Sequence, residues 1–200
     1  MNKKYLIFIF FPPIFQTILF VFVKLLQNNI YNVTLPIDNN IPYISSFVVF
    51  YIIWYLLLFL IPIMIYLYDK DRLKEYALVY IICSIISSVI FVLFPTTVSR
   101  NSYITNSFTD ILVKFIYEYD TPALNCFPSL HALESMLWIW YVGCNNKFNK
   151  YIRIGVWVTC IGIILSTLFI KQHVIVDIIG SLLVLILGYN ISKLILKKLT

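Results

Sequence analysis

Charge is scarce in this chain. Asp, Glu, Lys and Arg make up 12% of its 200 residues, while 61% are hydrophobic and the mean hydropathy is +0.90. A soluble domain carries about 25% charged residues, so that class is excluded. Sustained alternation of apolar and polar residues is absent too, which removes a membrane β-barrel. No CxxC or metal-ligand spacing occurs among the four cysteines. Cys83, Cys144 and Cys160 fall in or at the ends of apolar runs and only Cys126 in a connecting segment, so neither a disulfide framework nor a zinc site is expected. There is no internal repeat and no low-complexity tail. The net charge of +6 does not point to nucleic acid, because the basic residues sit at segment ends, where they are a topology signal. Histidine is the scarcest chemistry-bearing residue, with two copies.

Long apolar runs are what the chain does have. Each is about 20 residues, enough to cross ~30 Å of hydrocarbon as a helix. A spanning segment must satisfy its backbone internally, which overrides the strand preference of the many Ile, Val, Phe and Tyr residues. The expectation is an all-α polytopic membrane protein: one integral membrane domain over 1–200, built as a six-transmembrane-helix bundle. Its spans fall at about 5–26, 46–68, 76–94, 129–143, 151–170 and 173–196. The first is too long for a signal peptide and is followed by no small-residue cleavage site. Pro12-Pro13 should kink it. Residues 27–45 read as an exposed Asn-rich loop, in which Asn32-Val33-Thr34 fits a glycosylation sequon. Residues 95–128, with a short interfacial helix near 107–118, form the longest non-spanning segment, and connections of that length usually have a function.

Six spans put both termini on one side. Eleven Lys and Arg residues then share that side, and Lys24, Arg100, Lys114 and Lys171 lie on the other. The positive-inside rule makes the termini cytoplasmic. The expected location is therefore the cell membrane, with both histidines at the outer ends of their helices.

His173 precedes Asp177 by four residues in Ser166-Thr-Leu-Phe-Ile-Lys-Gln-His173-Val-Ile-Val-Asp177. At helical spacing a carboxylate can reach Nδ1–H, fix the tautomer and leave Nε2 free to attack or to accept a proton. A buried pair joining two helices is the structural alternative. The other histidine opens a helix in Asn125-Cys-Phe-Pro128-Ser129-Leu130-His131. Proline suits a first helical turn, and the free N–H groups there favour anions. Ser129 adds a hydroxyl and His131 a titratable proton. Arg100 and Lys171 on the same side can neutralise a phosphate's oxygens, and charge neutralisation with positioning does most of the work in phosphoryl transfer. Two histidines and one aspartate lack the usual companions of zinc. Glu134, three residues after His131, can tune it, bind a polar headgroup or join two helices. Asp120 and Asn125 can shape a pocket entrance or cap loops. Aromatic clusters such as Tyr51, Trp54 and Tyr55 read as packing and interface anchors.

These motifs resemble the type-2 phosphatidic acid phosphatase superfamily. Pro128-Ser129-Leu130-His131 is similar to its Pro-Ser-Gly-His motif, with Leu130 at the glycine position. Ser166-Thr167-x5-His173-x3-Asp177 is similar to Ser-Arg-x5-His-x3-Asp, with Thr167 at the arginine position. If Arg100 is the arginine of the first motif, Lys-x6-Arg-Pro, then Leu93 and Asn101 stand at its lysine and proline positions. The form of the two later motifs is similar to the inositolphosphotransferase-like branch. The resemblance implies a metal-independent and cofactor-free reaction in which His173 attacks phosphorus, Asp177 orients it and His131 protonates the leaving group. Ser129, Ser166 or Thr167, and Arg100 would hold the phosphate, with Lys171 supplying charge in place of the missing arginine. The implied substrate is a lipid phosphate or pyrophosphate, met among membrane lipids at the outer leaflet. The rivals are a transferase handing the phosphoryl or phospho-headgroup to an acceptor alcohol or lipid, a transporter, and a structural membrane protein with a decayed site. Transport is disfavoured because the ionisable residues cluster at one end and do not line a midplane path.

Overall fold

A computed structural model describes residues 3–100 and 107–199; Asn101 lies outside them. Among the described residues are seven α-helices: α1 (Lys3–Lys24), α2 (Val48–Tyr68), α3 (Leu73–Leu93), α4 (Phe108–Tyr119), α5 (Leu130–Trp138), α6 (Lys150–Phe169) and α7 (Ile175–Leu199). The expectation of an all-helical chain needs one amendment. Tyr31–Asn32 (β1) and Thr96–Thr97 (β2) pair in parallel, so the loop over 27–45 is tied to the segment after α3.

Five helical stretches are long and apolar enough to cross a membrane: Tyr5–Lys24, Ser45–Tyr68, Lys70–Leu93, Lys150–Phe169 and Ile175–Lys198. The fourth expected span, 129–143, is not among them and is a shorter element. It comprises the nine residues of α5 and a five-residue π turn, Ile139–Gly143, closed by Cys144 N–H donating to the Ile139 carbonyl at 2.8 Å. It still runs from one end of the bundle to the other. Ser129 N–H meets the Asp177 carbonyl at 3.2 Å at the start of α7, and Asn145 Nδ2 meets Asp69 Oδ2 at 2.7 Å at the end of α2. Burial explains how so short a segment serves. Leu133, Leu137, Trp138, Tyr141 and Val142 are all enclosed by neighbouring helices.

The end opposite the histidines is closed by charge and aromatic contacts. Lys147 Nζ lies 2.5 Å from Asp69 Oδ1, and Lys70 sits 4.3 Å from the centre of the Tyr5 ring. Burial raises the Asp69 carboxyl, but its bonds to Lys147 and Asn145 outweigh that and hold it below the ordinary aspartate range.

Proline inside α1 leaves carbonyls without their usual N–H partner. The chain remains helical through Pro12 and Pro13, and the Thr17 hydroxyl donates to the Pro13 carbonyl at 2.9 Å. Close helix approach depends on small residues, as is general in membranes. A Cβ on Gly188 of α7 would stand 2.4 Å from Cys83 Sγ on α3, and one on Gly180 would stand 2.4 Å from the Phe127 ring.

Candidate active site

Helix α6 ends in a tight reversal. Lys171 takes a positive φ of 54°, the left-handed conformation that terminates many helices. The amides of Gln172 and His173 then fold back onto the Thr167 carbonyl at 2.9 and 3.0 Å. His173 thus sits in the turn before α7, and not inside a helix as its spacing to Asp177 suggests. The pairing forms all the same. Asp177, in the first turn of α7, accepts at Oδ2 from the Val174 amide at 3.1 Å and lies 3.1 Å from His173 Nδ1. The carboxylate therefore caps the helix and holds the imidazole together.

His131 arrives on the neighbouring helix. Ser129 is the N-cap of α5, accepting from the Ala132 amide at 3.3 Å. Besides the backbone bond from Ser129 to Asp177, the Ser181 hydroxyl lies 2.7 Å from both the Ser129 and Asp177 carbonyls. The starts of α5 and α7 are thereby joined, and the His131 and His173 rings are 5.9 Å apart. Tyr51 stacks on His131 at 4.3 Å with 25° between planes, and Trp54 approaches it at 4.0 Å. His131 Nε2 is buried with no hydrogen-bond partner among the described residues.

A cavity of about 230 Å³ opens at this end, lined by Arg100, Lys171, His173, Asp38, Tyr43 and Ser99 among others. Arg100 donates through Nη2 to Asp120 Oδ2 at 2.5 Å and to Gln172 Oε1 at 2.7 Å. Its Nη1 holds the carbonyls of Tyr117 and Asp120, both at 3.1 Å. Asp120 is shared with Lys24 at 2.6 Å, so the group keeps a net positive charge beside His173. Lys171 Nζ donates to the carbonyls of Asp38 and Ile41 at 2.9 and 2.6 Å. Burial pushes its ammonium below the ordinary lysine range, against the pull of Asp38.

Of the residues singled out from sequence, His173, Asp177, His131, Ser129, Arg100 and Lys171 gather at one end. Ser166 and Thr167 turn their hydroxyls back to the Ile163 and Ile164 carbonyls, each at 2.7 Å, and Thr167 meets the site through its own carbonyl. Glu134 lies deeper. Its Oε1 accepts from Gln16 and from the Tyr80 hydroxyl at 2.8 Å, which joins α5 to α1 and α3. Asn125 accepts from Gln27 and donates through Nδ2 to the Phe20 carbonyl at 3.1 Å, which pins the entrance loop to α1.

Several contributors escaped the sequence reading. Gln172 is buried, accepts from Arg100, and keeps Nε2 without a partner among the described residues. Asp38 sits inside what reads as an exposed loop, yet it is buried, and its Oδ1 accepts from the Ile175 amide at 3.0 Å. Tyr51 and Trp54 carry the i, i+3 spacing that puts two side chains on one helix face, the one available signal that they act together. Among the described residues no cluster of three or more His, Cys, Asp or Glu side chains gathers as a metal site would require.

A family model for the PAP2 superfamily matches residues 35–191. The chain belongs to the PAP2 superfamily. The match covers α2 to α6 and most of α7, including every residue of the histidine site. No curated protein and no solved structure matches the chain. PAP2 membership and the five spanning helices support a phosphatase-type, lipid-modifying membrane protein.

Proposed function

We propose that this PAP2 protein is a lipid phosphatase working through a phosphohistidine. The observation that carries the reading is the pairing of His173 Nδ1 with Asp177 at 3.1 Å, with the His131 ring 5.9 Å from that of His173. Asp177 keeps the proton on Nδ1, so the lone pair on Nε2 is available to phosphorus. In the first step the Nε2–P bond forms, the P–O bond to the lipid alcohol breaks, and His131 gives its proton to the departing oxygen. In the second, a water oxygen attacks phosphorus, His131 takes back a proton, and the N–P bond breaks to release phosphate. Arg100 and Lys171 supply positive charge beside the transferring group, and Ser129 lies at the start of the helix that carries His131. An alcohol in place of water would make the same machinery a transferase.

The distribution of Lys and Arg between the two ends supports cytoplasmic termini and an outward-facing site. The test is a panel of purified lipid phosphates and pyrophosphates, with and without alcohol acceptors. Wild type should release phosphate and His173→Ala should not. Brief exposure to labelled substrate followed by alkaline quench should leave an acid-labile label on wild type alone. Full turnover by His173→Ala would sink the mechanism, and a new phosphodiester without free phosphate would make the protein a transferase.

A further inference from the structure

Helix α4 has two faces that do different things. Its inner face carries Val113, which packs with Val48, Tyr51 and Ile170, and it is fastened by Tyr43 to Asp110 at 3.0 Å and by Tyr117 to the Ile170 carbonyl at 2.6 Å. On the far side stand Phe108, Ile111, Phe115 and Tyr119, exposed to 75%, 56%, 66% and 84%. At 100° per residue these four lie within an arc of about 80°. Exposed Lys114 and Glu118 border the stripe along one edge. An unbroken stripe of large apolar side chains is rarely left in water.

Depth decides what covers it. The adjacent spanning stretch begins at Ser45, and Ser45 Oγ lies 2.9 Å from Thr109 Oγ1. Val113 packs against Tyr51, six residues further in, which is about 9 Å along a helix at 1.5 Å per residue. Helix α4 is therefore level with the first two turns of a membrane span and does not stand above it. Val49, Ile52, Tyr55 and Leu56, in the outer half of α2, are exposed apolar side chains too. At that level the neighbour is the boundary between headgroups and acyl chains, where amphipathic helices lie with basic residues toward the headgroups.

The same helix touches the chemistry. Arg100 holds the Tyr117 and Asp120 carbonyls at the end of α4 and also lines the cavity, and Tyr51 connects Val113 to His131. We propose that the Phe108–Ile111–Phe115–Tyr119 stripe is a lipid-seating surface. It fixes the cavity mouth at headgroup level, so that phosphates anchored in a leaflet are taken in preference to water-soluble ones. The seating rests on the structure alone, and the preference rests on the phosphatase reading.

Two measurements separate these parts. In a Cys144→Ser background, a nitroxide is attached at Phe115→Cys or Lys114→Cys, and the protein is reconstituted in phosphatidylcholine–phosphatidylglycerol vesicles. The label at 115 should relax with oxygen and be shielded from a water-soluble nickel chelate, and the label at 114 should do the reverse. Equal access of nickel to both positions would overturn the seating. Shielding of 115 from both reagents would overturn it too, since that marks a protein contact. In the second measurement, Ile111→Ser with Phe115→Ser should raise KM for a long-chain lipid phosphate in vesicles about tenfold, with kcat/KM for a short-chain soluble phosphate within twofold of wild type. A lipid-seated label with unchanged KM would overturn the preference. Failure of wild type to turn over either substrate would instead remove the phosphatase reading, and the label depths would still decide the seating.

Discussion

Asp177 Oδ2 serves the Val174 amide and the His173 imidazole at the same 3.1 Å, so the carboxylate that orients the ring also caps the helix bearing it. Asp177→Asn keeps the shape of the cap but lets the imidazole choose its tautomer. Phosphate release should fall by roughly a hundredfold or more in kcat, with KM little changed. A comparable loss in KM alone would mean that Asp177 binds substrate and does not orient His173. Gln172 presents a second residue-scale question, since it restrains Arg100 from the position next to His173. Gln172→Ala should raise KM several-fold and leave kcat near wild type, which steady-state kinetics on vesicles can separate.

Lys171 adds a pH dependence with a defined sign. Burial lowers its pKa, so the cavity loses this positive charge at a lower pH than an exposed lysine would. The fold disfavours the charged amine, and stability from this group is gained, not lost, as pH rises through that value. Substrate affinity should move the opposite way, weakening on the alkaline side. In Lys171→Arg, which stays charged, the alkaline decline of kcat/KM should disappear. If Lys171→Ala changes neither KM nor kcat, the lysine supplies no charge to the reaction and serves only to clip the turn at 38–41.

At the scale of elements, much was legible because membrane helices announce themselves by length. The α2, α3 and α6 spans lie close to the apolar runs, and the short helix after residue 106 was visible as a separate segment. The expected fourth span, 129–143, was less so. At ~1.5 Å per residue the stretch 129–143 already reads as short for a bilayer, and packing reveals that a π turn and enclosure by neighbours let it connect the two ends. The histidine–aspartate pair was legible by spacing, although the geometry that makes it is a helix cap and not a helix face. Gln172 and Asp38 were not legible, because a glutamine or a loop aspartate gains its role from partners 72 and 137 residues away.

Close approach between elements gives a stability test. Gly188→Ala places a methyl against Cys83 Sγ at 2.4 Å and should cost about 1–3 kcal/mol. Adding Cys83→Ala should recover most of it, as thermal unfolding in detergent would read. At the opposite end, Asp69→Asn should destabilise at neutral pH by about 1–3 kcal/mol. Because the native pKa of Asp69 is lowered, its contribution is complete above the unfolded value near ~3.9 and lost as pH falls through the native one. The two proteins should therefore converge in stability only in strong acid.

For the molecule as a whole, the two ends differ in what they carry: the histidines at one, the Asp69–Lys147 pair at the other. Cys144 is exposed and adjoins the Asn145–Lys147 loop, at the end remote from His173. With the proposed orientation, a membrane-impermeant maleimide should label Cys144 in inside-out vesicles and leave it untouched in intact cells. Labelling from the outside would reverse the topology and place the phosphate site in the cytoplasm.

The bond between the starts of α5 and α7 runs from backbone to backbone, from Ser129 N–H to the Asp177 carbonyl. No side-chain replacement deletes that donor except proline, and none deletes the acceptor. The separation of the two histidines is in this respect insulated from sequence drift, while much of the cavity wall is supplied by the 34–43 and 99–100 segments, which lie elsewhere in the chain. On the proposed reading, the spacing of the histidines is thus separable from the shape of the wall apart from Arg100 and Lys171. If the protein is the proposed phosphatase, substituting wall residues of the 34–43 segment should redirect it among phosphorylated headgroups without resetting the distance over which a proton and a phosphoryl group are coordinated.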